Sequence, residues 1–576
     1  MNLSRVELDV LIIGAGGGGL RAALELSSED LDTLVLGKRE FGDAHTVKAA
    51  GGINASLGNL DPEDSWEIHA ADTLREGHFI NDPEAVAELC QQVPGRVQEL
   101  RDWGCNFDLT EEGEINQRYF GAQAYRRTCF VGDRTGEAIE ETLVNRVKEA
   151  GVAFRNQVFI TKILAENGAV TGAVGFDRSS GEVIHFRTGT IILAAGGLTN
   201  IYARSSSRKW ENTGDGPALA YQAGASLQDM EMVQFHPTGM VKPEEQQGSL
   251  VTEAVRGEGG RLYNTSGERF MERYSPQQME LDARDVVARS IHREIQQGNG
   301  TPDGGVYLDI SHRDPDFIRK RLPALLDKFA ETGIDPTQEP MEVAPTAHYP
   351  MGGVRIDFPD GETAVEGLFA VGEVTAGVHG ANRLGGNSLA EVVTFGKTVA
   401  QAAGKFSRDR GRPTHSEDKL RSELERLQKL EHSSGRYEPL ELISRLRDVM
   451  WENVGIVRSA DKLDDALQEI GEIREQAKDL QVHGGRTQPD FSRALELHFM
   501  LPVAEATIRS AKLRNESRGA HYREDHPKKE EEWRLNLICA DRGEGMQLEK
   551  SEVGRPDPRV QEALDRDLHL DYHHLE

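Results

Sequence analysis

A histidine and a pair of glycines stand close together in a loop-like stretch near the start of the chain. Between residues 37 and 54 the sequence carries His45 and Thr46, and then Ala50, Gly51 and Gly52. A lone histidine in a loop is usually a polar surface residue. Here a glycine-rich segment precedes it, and if that segment holds a pyrophosphate, the histidine stands where a flavin ring would lie.

The glycine-rich segment lies between a predicted strand and a predicted helix. The apolar run 8–13 has the pattern of a buried strand, and the run 20–26 is helical. Glycines let the backbone approach a pyrophosphate, and a helix N-terminus favours its charge. A second strand at 33–36 completes a βαβ unit, the context that makes the motif specific. The residues between strand and helix are Gly14, Ala15, Gly16, Gly17, Gly18 and Gly19.

The second strand of this unit is not followed by an acid. Lys38 comes soon after it, where a carboxylate that binds the ribose of NAD is expected. The sequence therefore favours FAD, held by a variant contact, over classical NAD binding.

Five further motifs bring polar or charged residues together, four of them with neighbouring glycines or prolines. Singly, each has an ordinary explanation, because a His-Pro pair is usually a turn and an Arg-Asp pair on a helix is usually a solvated face. Five of them in a chain with a dinucleotide loop indicate a polar substrate site. They occupy segments 234–239, 252–260, 284–289, 347–353 and 379–389.

Bulk composition excludes several classes of function. The chain has 576 residues, enough for two or three domains, and its net charge of −29 argues against nucleic-acid binding. We expect neither a membrane span nor a secretory signal, because no apolar stretch is long enough for either. The four cysteines form no C-x-x-C pair, which fits a reducing compartment and gives the chain no iron–sulfur ligand set of its own; no metal site is predicted.

The pattern of elements predicts an α/β protein with a Rossmann-like FAD-binding domain, an inserted α+β capping domain and a C-terminal helical domain. Helical spacing predicts helices at 82–101 and 387–403, and a bundle of four at 416–430, 440–451, 460–480 and 491–515. We expect buried strands at 190–197 and 367–373, a meander at 158–174, and a charged tail that wraps a neighbour or moves freely. The predicted boundaries are 1–240 and 346–412 for the FAD-binding domain, 241–345 for the capping domain, 413–544 for the helical domain and 545–576 for the tail.

These motifs, in this order and at these spacings, resemble the flavoprotein subunits of succinate dehydrogenase and fumarate reductase. The resemblance runs from Leu8 to about Gly396 and returns at 450–458 and 517–523, which leaves out only the last thirty-odd residues. It implies FAD bound covalently through His45. The other cofactor contacts that it implies, besides the glycine loop and Lys38, are Thr46, Ala50, Gly51, Gly52, Asp215, Glu373, Arg383, Asn387, Ser388 and Leu389.

The same resemblance implies how a dicarboxylate is bound and oxidised. One carboxylate would be held by His236 and Thr252, and the other by His348 and Arg383; Phe120 would complete the substrate site. Arg284 would move the proton, relayed by Glu253 and Arg256. An arginine that stays protonated is an unusual base, so a carboxylate-binding role for Arg284 is the alternative.

The implied function is succinate oxidation in the tricarboxylic acid cycle by a flavoprotein that passes electrons to an iron–sulfur protein. Membrane anchor subunits would hold this complex at the cytoplasmic face of the membrane, with quinone as the acceptor. The alternatives are a fumarate reductase flavoprotein, a soluble enzyme of the L-aspartate oxidase kind, and an FAD-binding protein that acts on RNA or as a scaffold. Relatives of the second kind lack the attachment histidine, and charge argues against the third. Ala50 replaces the Gln or Glu of many relatives, so the direction stays open.

Overall fold

A computed structural model describes residues 3–411, 417–566 and 568. The predicted start of the helix at residue 416 and the end of the predicted tail therefore lie outside the described residues.

The centre of the fold is a parallel sheet that carries the glycine loop. The apolar runs of the sequence form its strands, and each is almost fully buried except the last at one edge. The helix Gly17–Leu26 covers one side of the sheet against the long helix Asn387–Arg410. The strand order is Leu368–Ala370, Ile191–Leu193, Val10–Ile13, Thr33–Leu36 and Ala153–Arg155.

Two smaller sheets and several helices complete this α/β part. The predicted meander is present and is joined by the first strand of the chain, in the order Leu3–Glu7, Val183–Arg187, Ala169–Asp177 and Val158–Glu166. A three-stranded sheet contains Ile53–Asn54, Thr128–Cys129 and Gln117–Arg118. The remaining helices here are Trp66–Glu76, Pro83–Asp102, Thr135–Glu149 and Asp215–Ala223.

The cap is the unit between residues 233 and 350, built on an antiparallel sheet. The chain enters it on Val233–Met240 and leaves on Met341–Pro350, and these two strands pair with each other. Its own apolar cluster fills the space under the helix Arg284–Gln296. The other elements of the cap are Ala254–Gly257, Arg261–Tyr263, Met271–Tyr274, Val306–Asp309, Pro315–Arg321 and Pro323–Phe329.

The C-terminal part is a helical bundle, as predicted. Its main helix, Pro489–Leu513, is mostly buried and packs on both the meander side and the other helices. The others are Glu417–Glu431, Pro439–Val454 and Ala460–Gln476, so the third ends four residues before the predicted end at 480, where a 3-10 turn, Ala477–Asp479, takes over.

The segment after Glu544 differs from the expectation of a free or wrapping tail. Met546–Glu552 pairs antiparallel with Leu535–Asp541, and that strand also pairs with Leu227–Gln228, whose other neighbour is Gly353–Val354. The helix Pro558–Asp565 then packs on Trp66–Glu76 through Val560. This stretch is highly charged, but apolar residues at alternate positions of the strand and at helical spacing in the helix let it pack against its own chain.

The C-terminal part also touches the cap helix Arg284–Gln296. Arg289 on that helix donates to the Gly519 carbonyl at 2.9 Å. The ring of Tyr522 lies 5.6 Å from the Arg289 guanidinium and 5.8 Å from that of Arg293. The helix Arg284–Gln296 is thereby held by the C-terminal part as well as by its own sheet.

Candidate active site

The glycine loop has no room for side chains. Gly14 adopts a φ of +119°, and a Cβ there would lie 2.0 Å from the Ala194 carbonyl oxygen. A Cβ on Gly19 would lie equally close to the Gly14 carbonyl oxygen, at 2.0 Å. The helix that follows begins at Gly17, and its N-cap residue Gly16 supplies no side-chain cap. Apart from the Gly17 N–H, which donates to Thr46 Oγ1, the N–H groups of its first turn can face an anionic group.

Lys38, which replaces the expected acid, forms two buried ion pairs. Its Nζ lies 2.7 Å from an oxygen of Asp215 and 2.7 Å from one of Glu496. Burial alone would lower the pKa of Lys38, but these two carboxylates outweigh burial and raise it. Lys38 and Asp215 therefore stand together at the edge of the cleft, and a residue of the C-terminal helices completes their charge.

The segment 37–54, in which His45 was predicted to bind the flavin, lies directly beside the glycine loop. It is called the flavin segment below. A 3-10 turn, His45–Lys48, carries Thr46, whose Oγ1 accepts from the Gly17 backbone N–H at 2.9 Å. A Cβ on Gly51 would lie 2.3 Å from the ring of Phe120, and Gly52 has a φ of +144°. The glycine pair therefore lets the segment fold flat against Phe120.

Two buried carboxylates flank His45. Glu211 Oε2 lies 3.4 Å from His45 Nδ1. Burial raises the pKa of Glu373 to about 7. For Glu211, burial is outweighed by hydrogen bonds from His45 and Arg208, and its pKa falls to about 2. Burial would lower the pKa of His45, but Glu211 and Glu373 together raise it.

At the cap end of the cleft, two histidines face each other. The rings of His236 and His348 have centroids 5.0 Å apart. His236 Nδ1 accepts from the Thr238 backbone N–H at 3.2 Å, so the neutral ring carries its proton on Nε2, a buried atom with no partner. His348 Nδ1 lies 2.8 Å from Ser206 Oγ. Burial, and then the nearby cations, hold the pKa of both imidazoles well below the usual range.

Two arginines approach the same point. Gln234 Oε1 accepts from Arg284 Nη1 at 3.0 Å and from Arg383 Nη2 at 3.3 Å. Arg383 Nε is buried without a partner, and its guanidinium lies 4.4 Å from the Tyr349 ring centroid. Burial, then repulsion by Arg284, lowers the pKa of Arg383 to about 9. Arg383 is therefore a cation whose charge is incompletely satisfied by the protein.

Arg284 is the first of a row of buried charged side chains, followed by Glu253 and Arg256. Its Nε donates to Glu253 Oε2 at 2.7 Å, and Arg256 Nη2 lies 3.7 Å from the same oxygen. Burial would raise the pKa of Glu253, but Arg284, Arg256 and the Gly121 N–H lower it to about 2. Glu253 is therefore a carboxylate between two guanidinium groups.

One cleft joins all these groups. It runs from the glycine loop to the cap, with an empty volume of ≈ 1810 Å³, open solvent included. It is lined by every predicted site residue except three, which lie behind it: Gly19, Arg256 and Asn387. Asn387 bonds instead to Thr73, His69 and Asn54.

Comparisons with known proteins match the whole arrangement. A family model described as FAD binding domain matches residues 9–389, and one described as fumarate reductase flavoprotein C-term matches residues 443–562. A fumarate reductase (CoM/CoB) subunit of Methanothermobacter marburgensis is 46% identical, over 92% of this chain and 97% of the relative. The succinate dehydrogenase flavoprotein subunit of Rickettsia bellii is 39% identical over 93% of each chain.

The chain belongs to the succinate dehydrogenase/fumarate reductase flavoprotein family. It is an FAD-dependent oxidoreductase of that type. The solved E. coli quinol fumarate reductase FrdA superimposes with a TM-score of 0.91 at 32% identity, covering 97% of this chain and 99% of that one. The predicted family and fold class are thereby confirmed.

The cleft fits the cofactor that the family binds. Side-chain-free glycines line the end where a pyrophosphate would lie, while Phe120 and the flavin segment form flat walls. His236 Nε2 and Arg383 Nε are buried polar atoms that a bound molecule can satisfy. Among the residues described, no cluster of side chains could hold a metal ion, and no helix is apolar over a length that would cross a bilayer.

Sequence reasoning did not single out four residues that shape this site. Gln234 and Tyr349 were inside noted motifs, but only their contacts with the arginines reveal a role. Glu211 and Ser206 come from the segment 204–213, which has no glycine-flanked polar motif. The one available signal was its position, since it leads from the returning strand back toward the flavin segment.

Proposed function

We propose that this chain is the catalytic flavoprotein subunit of a complex that oxidises succinate to fumarate. The observation that carries the proposal is the pairing of unsatisfied donors at one end of the cleft. His236 Nε2 and Arg383 Nε are both buried without a partner, and both residues line the cleft together with Arg284. A dianion with two carboxylates supplies the acceptors that these donors lack.

The two carboxylates are held by two clamps. His236 donates from Nε2, and Thr252, which lines the same wall, offers a hydroxyl. Arg383 and His348 form the opposite clamp, and the arginine fork suits a carboxylate in two-point contact. Both imidazoles are neutral at physiological pH because their pKa values are low, so they serve as donors rather than as charges.

Arg284 exchanges the proton of the substrate carbon. FAD, when bound, would supply the hydride acceptor for one methylene carbon, and the neighbouring carbon must release a proton. Arg284 is the group in the cleft that connects to a buried relay, through Glu253 and then Arg256. The carboxylate of Glu253, ionised between two cations, lets a proton enter or leave Arg284 without leaving an uncompensated charge.

FAD is attached covalently through His45 in this proposal. His45 lines the same cleft as the glycine pair and Phe120, and Glu211 lies beside its Nδ1. Because Ala50 replaces a larger polar residue, the wall near the flavin gives no preference for either direction.

Electrons leave through partner subunits. The described chain has four cysteines, all free and buried, at Cys90, Cys105, Cys129 and Cys539. An iron–sulfur protein would accept the electrons and pass them, through membrane anchor subunits, to quinone. The chain would then be a peripheral component at the cytoplasmic face of the membrane.

A second candidate is fumarate reduction. It is favoured by the similarity to the Methanothermobacter protein, whose name describes a fumarate reductase that works with CoM and CoB. The same clamps and the same proton relay serve that direction.

The experiment compares the two reactions on one preparation. Wild-type protein is assayed for succinate oxidation with an oxidising dye and for fumarate reduction with a reduced dye, and then precipitated with acid. We expect both activities and a yellow pellet; His45→Ser should release its FAD into the supernatant, lose succinate oxidation and keep some fumarate reduction. Absence of both activities would contradict the proposed reaction. A colourless wild-type pellet would contradict only the covalent attachment of FAD to His45. After gentle detergent extraction, an iron-containing chain should co-purify with this protein. A fully active monomer that reduces dioxygen rapidly would contradict the proposed iron–sulfur partner.

A further inference from the structure

The imidazole of His45 has different neighbours at its two nitrogens. Glu211 Oε2 lies 3.4 Å from Nδ1, and Ser207 Oγ lies 3.5 Å from Nε2. The second nearby carboxylate, Glu373, accepts instead from Asn212 Nδ2, at 3.2 and 3.3 Å. The ring therefore has a full negative charge beside Nδ1 and a neutral hydroxyl beside Nε2.

Glu211 is held in place by cations on its other side. Arg208 Nε donates to Glu211 Oε2 at 2.9 Å, Arg208 Nη2 donates to Oε1, and Arg39 Nε lies 3.5 Å from Oε1. The carboxylate is only 6% exposed. An ionised carboxylate is an acceptor only, so a neutral His45 beside it carries its proton on Nδ1.

We propose that Glu211 is a positioning residue for covalent attachment of the flavin, because it keeps the proton of His45 on Nδ1 and leaves the lone pair on Nε2. This inference rests on the proposed attachment of FAD to His45. A carboxylate that fixes the tautomer of a histidine has the same effect in serine proteases, where it prepares the opposite nitrogen for its role.

Covalent attachment joins His45 Nε2 to the carbon of a ring methyl group and breaks one C–H bond of that methyl. The imidazole is positively charged until its Nδ1 proton leaves, and Glu211 stabilises this charge. The methyl hydrogen and the Nδ1 hydrogen of His45 both depart as protons. The electron pair of the broken C–H bond stays in the flavin ring system until dioxygen or an unsaturated dicarboxylate removes it.

The pH dependence of attachment follows from the charged and titratable groups that face His45. These are Glu211, Glu373, Arg208 and His348. Protonated His45 has no free lone pair, so attachment slows as pH falls through the pKa of His45. Because the carboxylates raise that pKa, loss of the Glu211 charge should move the midpoint to lower pH.

The test uses the full-length chain prepared without flavin and then given FAD. The covalent fraction is followed by flavin fluorescence in denaturing gels, and total bound FAD by absorbance. Glu211→Gln offers an amide N–H to Nδ1 and so favours the wrong tautomer; we expect attachment to slow by about 10²–10⁴-fold while FAD still binds one to one. Glu137→Gln is the matched control, since it removes one charge at an exposed position beside Gly136, which abuts Thr46.

Glu211→Asp keeps the carboxylate and guards against misfolding of the amide variant. It should attach flavin within about ten-fold of the wild-type rate, as expected if the charge and not the side-chain length sets the tautomer. Wild-type attachment rates and an unchanged pH midpoint in Glu211→Gln would overturn the inference and leave attachment at His45 standing. An aspartate variant that binds FAD but attaches it as slowly as the amide variant would also overturn it. A wild-type protein that never attaches flavin would remove the proposed linkage itself, and the inference with it.

Discussion

Buried arginines occur in the cleft and again at the end of the helix Pro489–Leu513, and their surroundings differ. In the C-terminal cluster, defined as Arg514, Arg518 and Arg523, each guanidinium meets at least one carboxylate and two backbone carbonyls. In the cleft, Arg383 meets one backbone carbonyl and one amide oxygen and keeps a buried Nε without a partner.

This contrast separates a structural site from a binding site. The carboxylates around Arg514 outweigh its burial and raise its pKa, whereas burial lowers that of Arg383. A closed set of ion pairs contributes to folding, while an open one leaves interaction energy for a ligand. Three substitutions test this distinction, and a fourth examines a buried carboxyl group behind Thr46.

Arg284→Lys should have the largest effect, on catalysis. The charge stays but the reach and the fork toward Glu253 and Gln234 change. We expect kcat for fumarate reduction to fall by about 10²–10⁴-fold, with dicarboxylate binding nearly normal. If KM rises instead while kcat stays within a few-fold, Arg284 only clamps a carboxylate. Steady-state kinetics and a binding titration of the same variant decide.

Arg514→Met should act on stability rather than on catalysis per folded molecule. It leaves Glu231, Asp229 and Glu516 without their shared cation, and breaking a buried pair costs about 3–5 kcal/mol. The thermal midpoint of the FAD-loaded protein should drop clearly. Arg534→Met removes an exposed ion pair with Glu531 and serves as the control, with an expected change below about 1 kcal/mol. Equal midpoints for the two variants would contradict a closed structural cluster.

Arg383→Gln should weaken substrate binding and spare the fold. Loss of a charged donor to a carboxylate costs about 1.5–3 kcal/mol, which corresponds to a rise of KM by roughly 10- to 100-fold. Because the arginine is incompletely paired, the thermal midpoint without ligand should stay constant or increase. A destabilisation like that of Arg514→Met would erase the distinction between the two regions.

Glu140→Gln should be seen only as a change in the pH dependence of stability. Glu140 lies behind Thr46, and burial raises its pKa to about 8. The folded state then binds a proton that the unfolded state has released, so between pH 5 and 8 stability falls as pH rises, by up to about 1.4 kcal/mol per unit. The glutamine variant should show a flatter dependence of the thermal midpoint on pH. An unchanged slope would mean that Glu140 is ionised in the folded protein.

Much of the fold could be predicted from the sequence because the patterns that indicate its strands and helices are local. The glycine run after an apolar stretch predicted the loop at Gly14, and helical periodicity predicted helices such as Asn387–Arg410. The strand Leu535–Asp541 was missed because it pairs with Leu227–Gln228, far away in the chain. Without that partner, an apolar run within a charged region looks like part of a helix or a tail.

The sequence predicted which residues form the site but not the hydrogen bonds and ion pairs that connect them. Short motifs of polar and charged residues predicted His236, Arg284 and Arg383, which do line one cleft. Lys38 was predicted to contact the cofactor, and nothing near it in sequence indicated its partner Glu496. Glu211 was invisible for a similar reason, since its meaning depends on the distance to His45 across the cleft.

The attachment of the cap helix to Gly519 and Tyr522 bears on how such a protein could be divided. The helix that begins at Arg284 is held by its own sheet on one side and by the C-terminal loop on the other. A shortened enzyme ending at residue 411 would keep every residue that lines the cleft but would lose Glu496 beside Lys38 and the support of Arg289. Exchange of caps between relatives should therefore succeed only when the loop 518–523 travels with the transplanted segment.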